Sequence, residues 1–257
     1  MIRLMTTLTL SIGLVGSIAA DKFHFIVMGD NRGVKALEQP EVFKQIIREV
    51  NLLNPDLVIM VGDLIHGYTS DTGLIKREWR NFKHIVSELD APYYLVVGNH
   101  DVWDEVSQQI YLEECGPLYY SFDYKGCHFI VLDTEIPGQV NYITGEQLQW
   151  LKGDLERHKD ATHIFVFMHR PVWAYEGTPG KVWMHEIHPL LVKYGVDIVF
   201  SGHWHVYEID YRDGIRYVIT GGAGAPIGEY PEVGDFHHYL LCTVDGESVE
   251  IAVIKPG

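Results

Sequence analysis

Short apolar runs alternate with amphipathic segments along the first part of the chain. Residues 23–28, 57–61 and 93–97 are apolar and rich in β-branched or aromatic side chains, which is typical of buried strands. Residues 40–53 and 76–89 lie between these runs and have the periodicity of helices. This alternation predicts a parallel sheet, and the residues that follow each strand should therefore meet at one edge of it.

The second part of the chain continues this pattern and then changes to hairpins. Turns at Lys125-Gly126, Asp213-Gly214 and Asp245-Gly246 separate β-prone segments, which indicates antiparallel pairs. The remaining predicted elements are helices over 105–114 and 144–157, two strands within 119–133, and strands over 164–168 and 197–200. The whole pattern predicts an α/β fold of two packed mixed sheets flanked by helices.

Side chains that bind metal ions follow the predicted strands. They form an ordered set: Gly29-Asp30, Gly62-Asp63, Gly98-Asn99-His100-Asp101, His169 and Gly202-His203-Trp204-His205. A single Gly-Asp pair after a strand is usually a turn, so the evidence lies in the whole set. Carboxylate, imidazole and amide ligands suit Mn, Fe, Co or Zn better than Ca or Mg. Two divalent ions with two aspartates would leave a charge of about +2, which matches a phosphate dianion, so the set predicts a two-metal hydrolase site.

At these residues the chain resembles the calcineurin-like metallophosphoesterases, whose blocks are D-x-H, GDxx, GNH(D/E), a lone His and GHxH. The resemblance runs from Asp30 to His205. It implies a four-layer α/β/β/α sandwich and an enzyme that attacks a phosphate ester with metal-bound hydroxide. It also implies that Asp63 bridges the two ions. The remaining implied ligands are Asn99, His169 and His203 for one ion, and Asp30 and His205 for the other.

The first block departs from the family pattern, because Arg32 stands where the second ligand of D-x-H should be. Purple acid phosphatases, a branch of the same superfamily, also lack that histidine and use a tyrosine three residues after the bridging aspartate. The corresponding residue here is His66, and we expect it to supply the missing ligand; the alternative is a polar loop residue. Arg32 would then be free to hold a phosphate oxygen, unless it forms a surface salt bridge.

His100 follows the expected ligand Asn99, and in the family this histidine acts near the leaving group as a general acid or a hydrogen-bonding stabiliser. We expect Asp101 to orient the His100 ring, as carboxylates often do for catalytic imidazoles; the alternative is that Asp101 caps a turn. Five other histidines show no ligand spacing: His24, His84, His128, His158 and His163.

Composition limits the choice of partner. The chain has 257 residues, 20 Lys and Arg against 35 Asp and Glu, and a net charge of -15. Nucleic acid is not expected to bind, because such binding depends on basic residues that neutralise phosphates. A small phosphorylated substrate remains compatible, since bound metal ions reverse the local field.

The N-terminus has the pattern of a secretory signal peptide over residues 1–20. Arg3 precedes an apolar stretch from Leu4 to Ile18, and small residues stand before Asp21. The alternatives are a first core strand or a short anchor, but the stretch is short for a membrane span. We therefore expect an exported protein, periplasmic or secreted, whose residues 21–257 form one domain. In that setting Cys115 and Cys127 would pair and leave Cys242 free; three buried thiols are the alternative.

The resulting hypothesis is an exported phosphoesterase with two divalent metal ions, acting on a small phosphate ester and preferring monoesters. One alternative is a phosphodiesterase for cyclic nucleotides, glycerophosphodiesters or phospholipid head groups, because superfamily members of both kinds share these blocks. The other is a metal-binding scaffold that has lost catalysis, for which Arg32 is the only indication.

Overall fold

The computed structural model describes residues 20–228 and 234–257, so the predicted signal peptide lies outside the described residues except at Ala20. The strands are β1 (Ala20–Met28), β2 (Leu57–Met60), β3 (Tyr93–Leu95), β4 (Tyr120–Tyr124), β5 (Cys127–Val131), β6 (His163–Phe167), β7 (Ile198–Ser201), β8 (Tyr207–Arg212), β9 (Ile215–Thr220), β10 (Tyr239–Gly246) and β11 (Ser248–Ile254). The helices are α1 (Glu41–Leu53), α2 (Thr72–Val86), α3 (Glu105–Glu114), α4 (Gly145–Arg157), α5 (Thr178–Val182) and α6 (His188–Lys193). A 3₁₀ turn at Val172–Ala174 and a π-helical turn at Trp183–Ile187 flank α5.

The first sheet has the strand order β11-β10-β1-β2-β3. Strands β1, β2 and β3 run parallel, as the strand and helix alternation predicts. The C-terminal hairpin β10–β11 adds to the other side of β1, with β10 antiparallel to it. Phe25 therefore pairs with Leu57 of β2 on one side and with Cys242 of β10 on the other.

The second sheet has the order β4-β5-β6-β7-β9-β8. Its central strands β5, β6, β7 and β9 are parallel, whereas β4 and β8 form antiparallel edges through the predicted hairpins. Both sheets are thus mixed.

Three apolar layers hold the sandwich together. Phe43 of α1 and Trp79 of α2 pack on the outer face of the first sheet, and Leu151 of α4 packs on the outer face of the second. Between the sheets, Phe25 and Phe129 meet edge to face with ring centroids 5.5 Å apart. Each such buried side chain contributes about 1.5–3 kcal/mol relative to an exposed one. The predicted four-layer α/β/β/α sandwich is confirmed.

Element ends differ from the predicted ones where caps override periodicity. Helix α2 begins at Thr72 and not at residue 76, because the Asp71 carboxylate accepts a hydrogen bond from Leu74 N at 2.9 Å.

All three cysteines are free, so the predicted Cys115–Cys127 pair is absent and the alternative of unpaired thiols holds. Among the described residues, no helix has the length and apolar character to span a membrane.

Candidate metal centre

The ligand-type side chains converge where the strands of both sheets end. Asp30 and Asp63 follow β1 and β2 of the first sheet, and His169 and His203 follow β6 and β7 of the second. Because these strands are parallel within each sheet, their carboxyl ends open toward the same side of the sandwich. The site therefore joins the two sheets at one edge.

Asp30, Asp63 and His169 form the centre of this cluster. One ligand atom from each lies within 4.8 Å of the others, and all three side chains are buried. His169 Nε2 lies 3.2 Å from Asp63 Oδ1. Two buried carboxylates beside an imidazole need a positive partner, because burying isolated charges is costly.

The other predicted ligands surround this group. Asn99 Oδ1 lies 3.0 Å from His169 Nε2, and His205 Nε2 lies 3.5 Å from Asp30 Oδ1. The His203 ring meets the His169 ring edge to face, with centroids 5.1 Å apart. The structure thus brings together every ligand carried over from the family blocks.

Backbone carbonyl groups fix the ring nitrogen that each histidine presents to the cluster. His169 Nδ1 lies 2.8 Å from the Val61 carbonyl oxygen, and His205 Nδ1 lies 2.7 Å from that of Pro226. A carbonyl only accepts, so Nδ1 carries a proton and Nε2 is the nitrogen that faces the carboxylates. This arrangement is typical of metal-ligating histidines.

The local backbone is shaped around the carboxylates. Asp30, Asp63 and His203 have φ of 58°, 57° and 70°, a left-handed conformation that is uncommon outside glycine. Two glycines give the carboxylates room: a Cβ at Gly98 would lie 2.5 Å from Asp63 Oδ1, and one at Gly202 would lie 2.3 Å from Asp30 Oδ2. Such strain persists only where the surrounding structure enforces it, and it is common at functional sites.

The cluster shifts the pKa values of its members in opposite directions. Burial opposes the charged form of His169, but the Asp63 carboxylate raises the pKa of His169 to about 10. Burial also opposes ionisation of Asp63, yet His169 and His100 hold its pKa well below the usual range. His203 lacks a comparable partner, and burial next to His169 lowers its pKa to about 2. The site therefore favours anionic carboxylate and neutral His203 ligands.

Arg32 and His66 lie on one side of this cluster. Arg32 Nε is 3.5 Å from Asp63 Oδ2, so the guanidinium faces the expected bridging carboxylate and not the protein surface. His66 Nδ1 lies 3.2 Å from the Gly33 carbonyl oxygen. No contact joins His66 to Asp30 or Asp63 among the hydrogen bonds and ion pairs of the described residues, and its role as replacement ligand stays a prediction.

The predicted contact between Asp101 and His100 is not formed. Asp101 is fully buried, and its two carboxylate oxygens accept four backbone N–H groups, from Asp63, Leu64, Ile65 and Gly98, at 2.8–3.2 Å. The His100 ring is instead oriented by its Nδ1, which contacts the His66 carbonyl oxygen at 2.5 Å. Asp101 therefore does not orient His100; its carboxylate joins the loop of residues 63–65 to the loop that begins at Gly98.

His100 remains close to the cluster. Its Nε2 lies 3.9 Å from Asp63 Oδ2, and the Tyr68 ring packs against the His100 ring at an angle of 40°, with ring centroids 4.0 Å apart. Burial lowers the pKa of His100. Because Nδ1 contacts a carbonyl, Nε2 is the nitrogen that remains available to a substrate.

Several residues of the site escaped the sequence analysis. Arg170 Nε binds both carboxylate oxygens of Glu135 at 2.8 and 2.9 Å, and its Nη1 lies 3.4 Å from His203 Nε2. Asn99 and Arg170 line a cleft of about 420 Å³, and the exposed side chain of Trp103 lines the same cleft. Arg170 directly follows His169, and Glu135 lies shortly after the end of β5. Their positions after strands are the sequence feature that could have identified them as site residues.

The residues present fit a dinuclear divalent centre. The donors are carboxylate and amide oxygens and imidazole nitrogens, without a thiolate, which suits Mn, Fe, Co or Zn. The Nε2 atoms of His169 and His205 face the carboxylates, and glycines leave space around both aspartates. Asp63 Oδ1 lies 3.2 Å from His169 Nε2, and ligand atoms of Asp63 and Asp30 lie within 4.8 Å of each other, so Asp63 is close to members of both expected ligand groups.

Comparisons with known proteins agree with this geometry. The family model of the calcineurin-like phosphoesterases matches residues 23–207. The human serine/threonine-protein phosphatase CPPED1 is 26% identical over 227 residues, which cover 79% of this chain and 70% of that protein. The rat tartrate-resistant acid phosphatase type 5 is 26% identical over 240 residues, which cover 79% and 72%.

A solved structure shares the fold. Purple acid phosphatase PPD1 from yellow lupin (Lupinus luteus) seeds superimposes with a TM-score of 0.68 at 21% identity. The match covers 92% of this chain and 52% of the lupin chain, so this protein spans about half the length of that enzyme.

Proposed function

Because the chain belongs to the calcineurin-like phosphoesterase family, we propose that it hydrolyses phosphate monoesters at the cluster around Asp63. At the family level the predicted phosphoric ester hydrolase is confirmed, and the family together with the residues of the cluster supports a dinuclear divalent centre. Monoester preference, the ligand assignment and export are the finer parts of the proposal.

Two arginines beside the carboxylate and imidazole cluster carry the monoester proposal. Arg32 faces Asp63 Oδ2 at 3.5 Å, and Arg170 faces His203 Nε2 at 3.4 Å. A monoester presents two negative charges and three terminal oxygens, whereas a diester presents one charge and two such oxygens. Planar guanidinium groups bind such oxygens in pairs, so two of them favour the dianion. The matched human and rat proteins, both named as phosphatases, support the same choice.

The proposed ligands are Asp63 as bridge, with Asn99, His169 and His203 for one ion, and Asp30, His205 and His66 for the other. When bound, the two ions supply Lewis acidity and lower the pKa of a bound water.

Different side chains of the protein contact different parts of the substrate. Arg32 and Arg170 hold the phosphoryl oxygens and offset their charge. His100 Nε2 interacts with the oxygen of the leaving alcohol, while the His66 carbonyl keeps the ring oriented. Glu135 fixes Arg170 through both carboxylate oxygens, so the guanidinium loses little freedom when substrate binds.

Export is proposed from the N-terminal pattern of Arg3, the apolar stretch from Leu4 to Ile18, and the small residues before Asp21. Expression with the full N-terminus, followed by cell fractionation and N-terminal sequencing, tests it. A periplasmic or secreted chain that starts near Ala20 or Asp21 is expected. A cytoplasmic chain that keeps residues 1–20 would contradict it.

The test of activity compares p-nitrophenyl phosphate with bis-p-nitrophenyl phosphate, using protein loaded with Mn, Fe, Zn or Co against a chelated control. We expect metal-dependent turnover with higher kcat/KM for the monoester. Arg170→Met should raise KM for the monoester more than for the diester, since the diester has one charge fewer. Equal effects on both esters would refute the arginine argument. A diester preference selects the phosphodiesterase alternative, and metal binding without turnover selects the scaffold.

A further inference from the structure

A second group of metal-ligand side chains lies at the far end of the second sheet. Asp123 on β4 and His128 on β5 are directly opposed in register, and His158 follows the end of α4. One ligand atom from each lies within 4.8 Å of the others. His128 pairs with Ile164, five residues before His169, so this group is about 16 Å from the first cluster along the strand direction.

Asp154 fixes the ring nitrogens that the two histidines present. Its buried carboxylate contacts His128 Nε2 at 2.8 Å, and its backbone carbonyl oxygen contacts His158 Nδ1 at 2.9 Å. Both partners are acceptors, so these nitrogens carry protons. The remaining nitrogens, His128 Nδ1 and His158 Nε2, lie 2.6 and 3.8 Å from the two carboxylate oxygens of Asp123.

We propose that Asp123, His128 and His158 bind one transition-metal dication, with Zn²⁺ the best match for two imidazoles and a carboxylate. Asp154 would be the outer carboxylate that orients a metal-ligating histidine, a pairing that recurs in zinc sites. Arg157 holds Asp154 in turn, with Nη2 at 2.9 Å from Oδ1. This site is separate from the proposed catalytic centre and does not rest on the proposed function.

The distances are close to those that an ion requires. Ligand bonds of about 2.0–2.1 Å in a tetrahedron place donor atoms about 3.3 Å apart. The contact of 2.6 Å between Asp123 and His128 must therefore open, and that of 3.8 Å between Asp123 and His158 must close. The two rings stack nearly parallel at 13°, so the His158 ring must tilt to aim Nε2 at the ion. Its side chain is 29% exposed and that of Asp123 is 63% exposed, so both can adjust.

The surroundings of this proposed site admit solvent, and a proton on His128 competes with the metal ion for the ring nitrogen. A cleft of about 290 Å³ borders Asp123 and His158 and leaves room for a water molecule as fourth ligand. Burial lowers the pKa of His128, but the carboxylates of Asp154 and Asp123 outweigh this and raise it. Zn²⁺ would displace the proton on Nδ1, and binding should release a proton. The bound ion would link the β4–β5 hairpin to the end of α4.

The experiment counts Zn²⁺ per chain by mass spectrometry in the purified full chain after loading with Zn²⁺ and removal of excess. Asp123→Asn and His158→Gln should each bind one ion fewer than the wild type and keep its kcat. His84→Ala, an exposed histidine on α2, is the matched control and should keep the wild-type content. Added Zn²⁺ should also raise the melting temperature of the wild type more than that of either variant.

Each outcome decides the proposal. One ion fewer in both variants, with folding verified by circular dichroism, supports it. Equal Zn²⁺ content in wild type and variants overturns it and leaves His128 as an imidazolium paired with two carboxylates. These readings do not depend on turnover, so an inactive protein that still loses one ion in the variants would refute the proposed function alone.

Discussion

Replacement of Asp101 by Asn tests whether this buried carboxylate braces the ligand loops. One oxygen accepts N–H groups from Asp63 and Gly98, and the other accepts from Leu64 and Ile65. Asparagine keeps one oxygen, but its NH₂ group must face two N–H donors. A buried donor left without its partner costs about 1–3 kcal/mol, so two unpaired N–H groups predict about 2–6 kcal/mol of destabilisation.

The assay is urea unfolding of wild type and Asp101→Asn, together with metal content. Asp90→Asn is the matched control, because this exposed aspartate carries the same change of charge. We expect a lower urea midpoint and reduced metal occupancy for Asp101→Asn only, since the loops that carry Asp63 and Asn99 lose their common acceptor. If Asp101→Asn kept wild-type stability and metal but lost kcat, the bracing role would be refuted and the catalytic role predicted from sequence would return.

Three further changes test other parts of the structure. Burial raises the pKa of Asp133 to about 7 from 3.8, so the native state binds more protons than the unfolded chain. The free energy of unfolding should therefore fall by up to about 4 kcal/mol between pH 4 and 7. Urea unfolding at several pH values should show a weaker pH dependence for Asp133→Asn than for the wild type, and an unchanged pH dependence would contradict this reasoning. Arg32→Ala should raise KM for a phosphate monoester about tenfold, or about 1.4 kcal/mol, and wild-type steady-state constants would return Arg32 to a structural ion pair. Trp103→Ala should lower kcat/KM for p-nitrophenyl phosphate by about 2- to 10-fold through lost aromatic contact but leave glycerol phosphate unaffected, and equal losses on both substrates would exclude a leaving-group contact.

Sequence patterning predicted the strands and helices well because both signals are local. The apolar run 57–61 and the turn at Lys125-Gly126 define their elements without knowledge of the fold. The start of α2 was predicted four residues late, since the cap at Asp71 lies outside the periodic stretch.

The convergence of the expected ligand side chains was predictable for the same reason, because most of them follow strands and neighbouring parallel strands end together. Contacts between loops could not be predicted from the sequence. Asp101 lies next to His100 in sequence, yet its carboxylate is used by the backbone of residues 63–65 and 98, which only the packing of two loops reveals. The pair of His128 and His158 was likewise passed over, since their spacing of 30 residues becomes a contact only through the packing of α4 on β5.

The position of β1 has a consequence for how the chain folds. One side of β1 pairs with β2, but the other side pairs with β10, more than 200 residues later in the chain. During synthesis, the apolar strand from Phe23 to Met28 therefore stays without its second partner until residues 239–246 have emerged. Such long-range pairing slows folding and leaves a strand edge open to aggregation in the meantime. The hairpin β10–β11 is thus the element that completes the first sheet, and β1 keeps one unpaired edge until this hairpin has been synthesised.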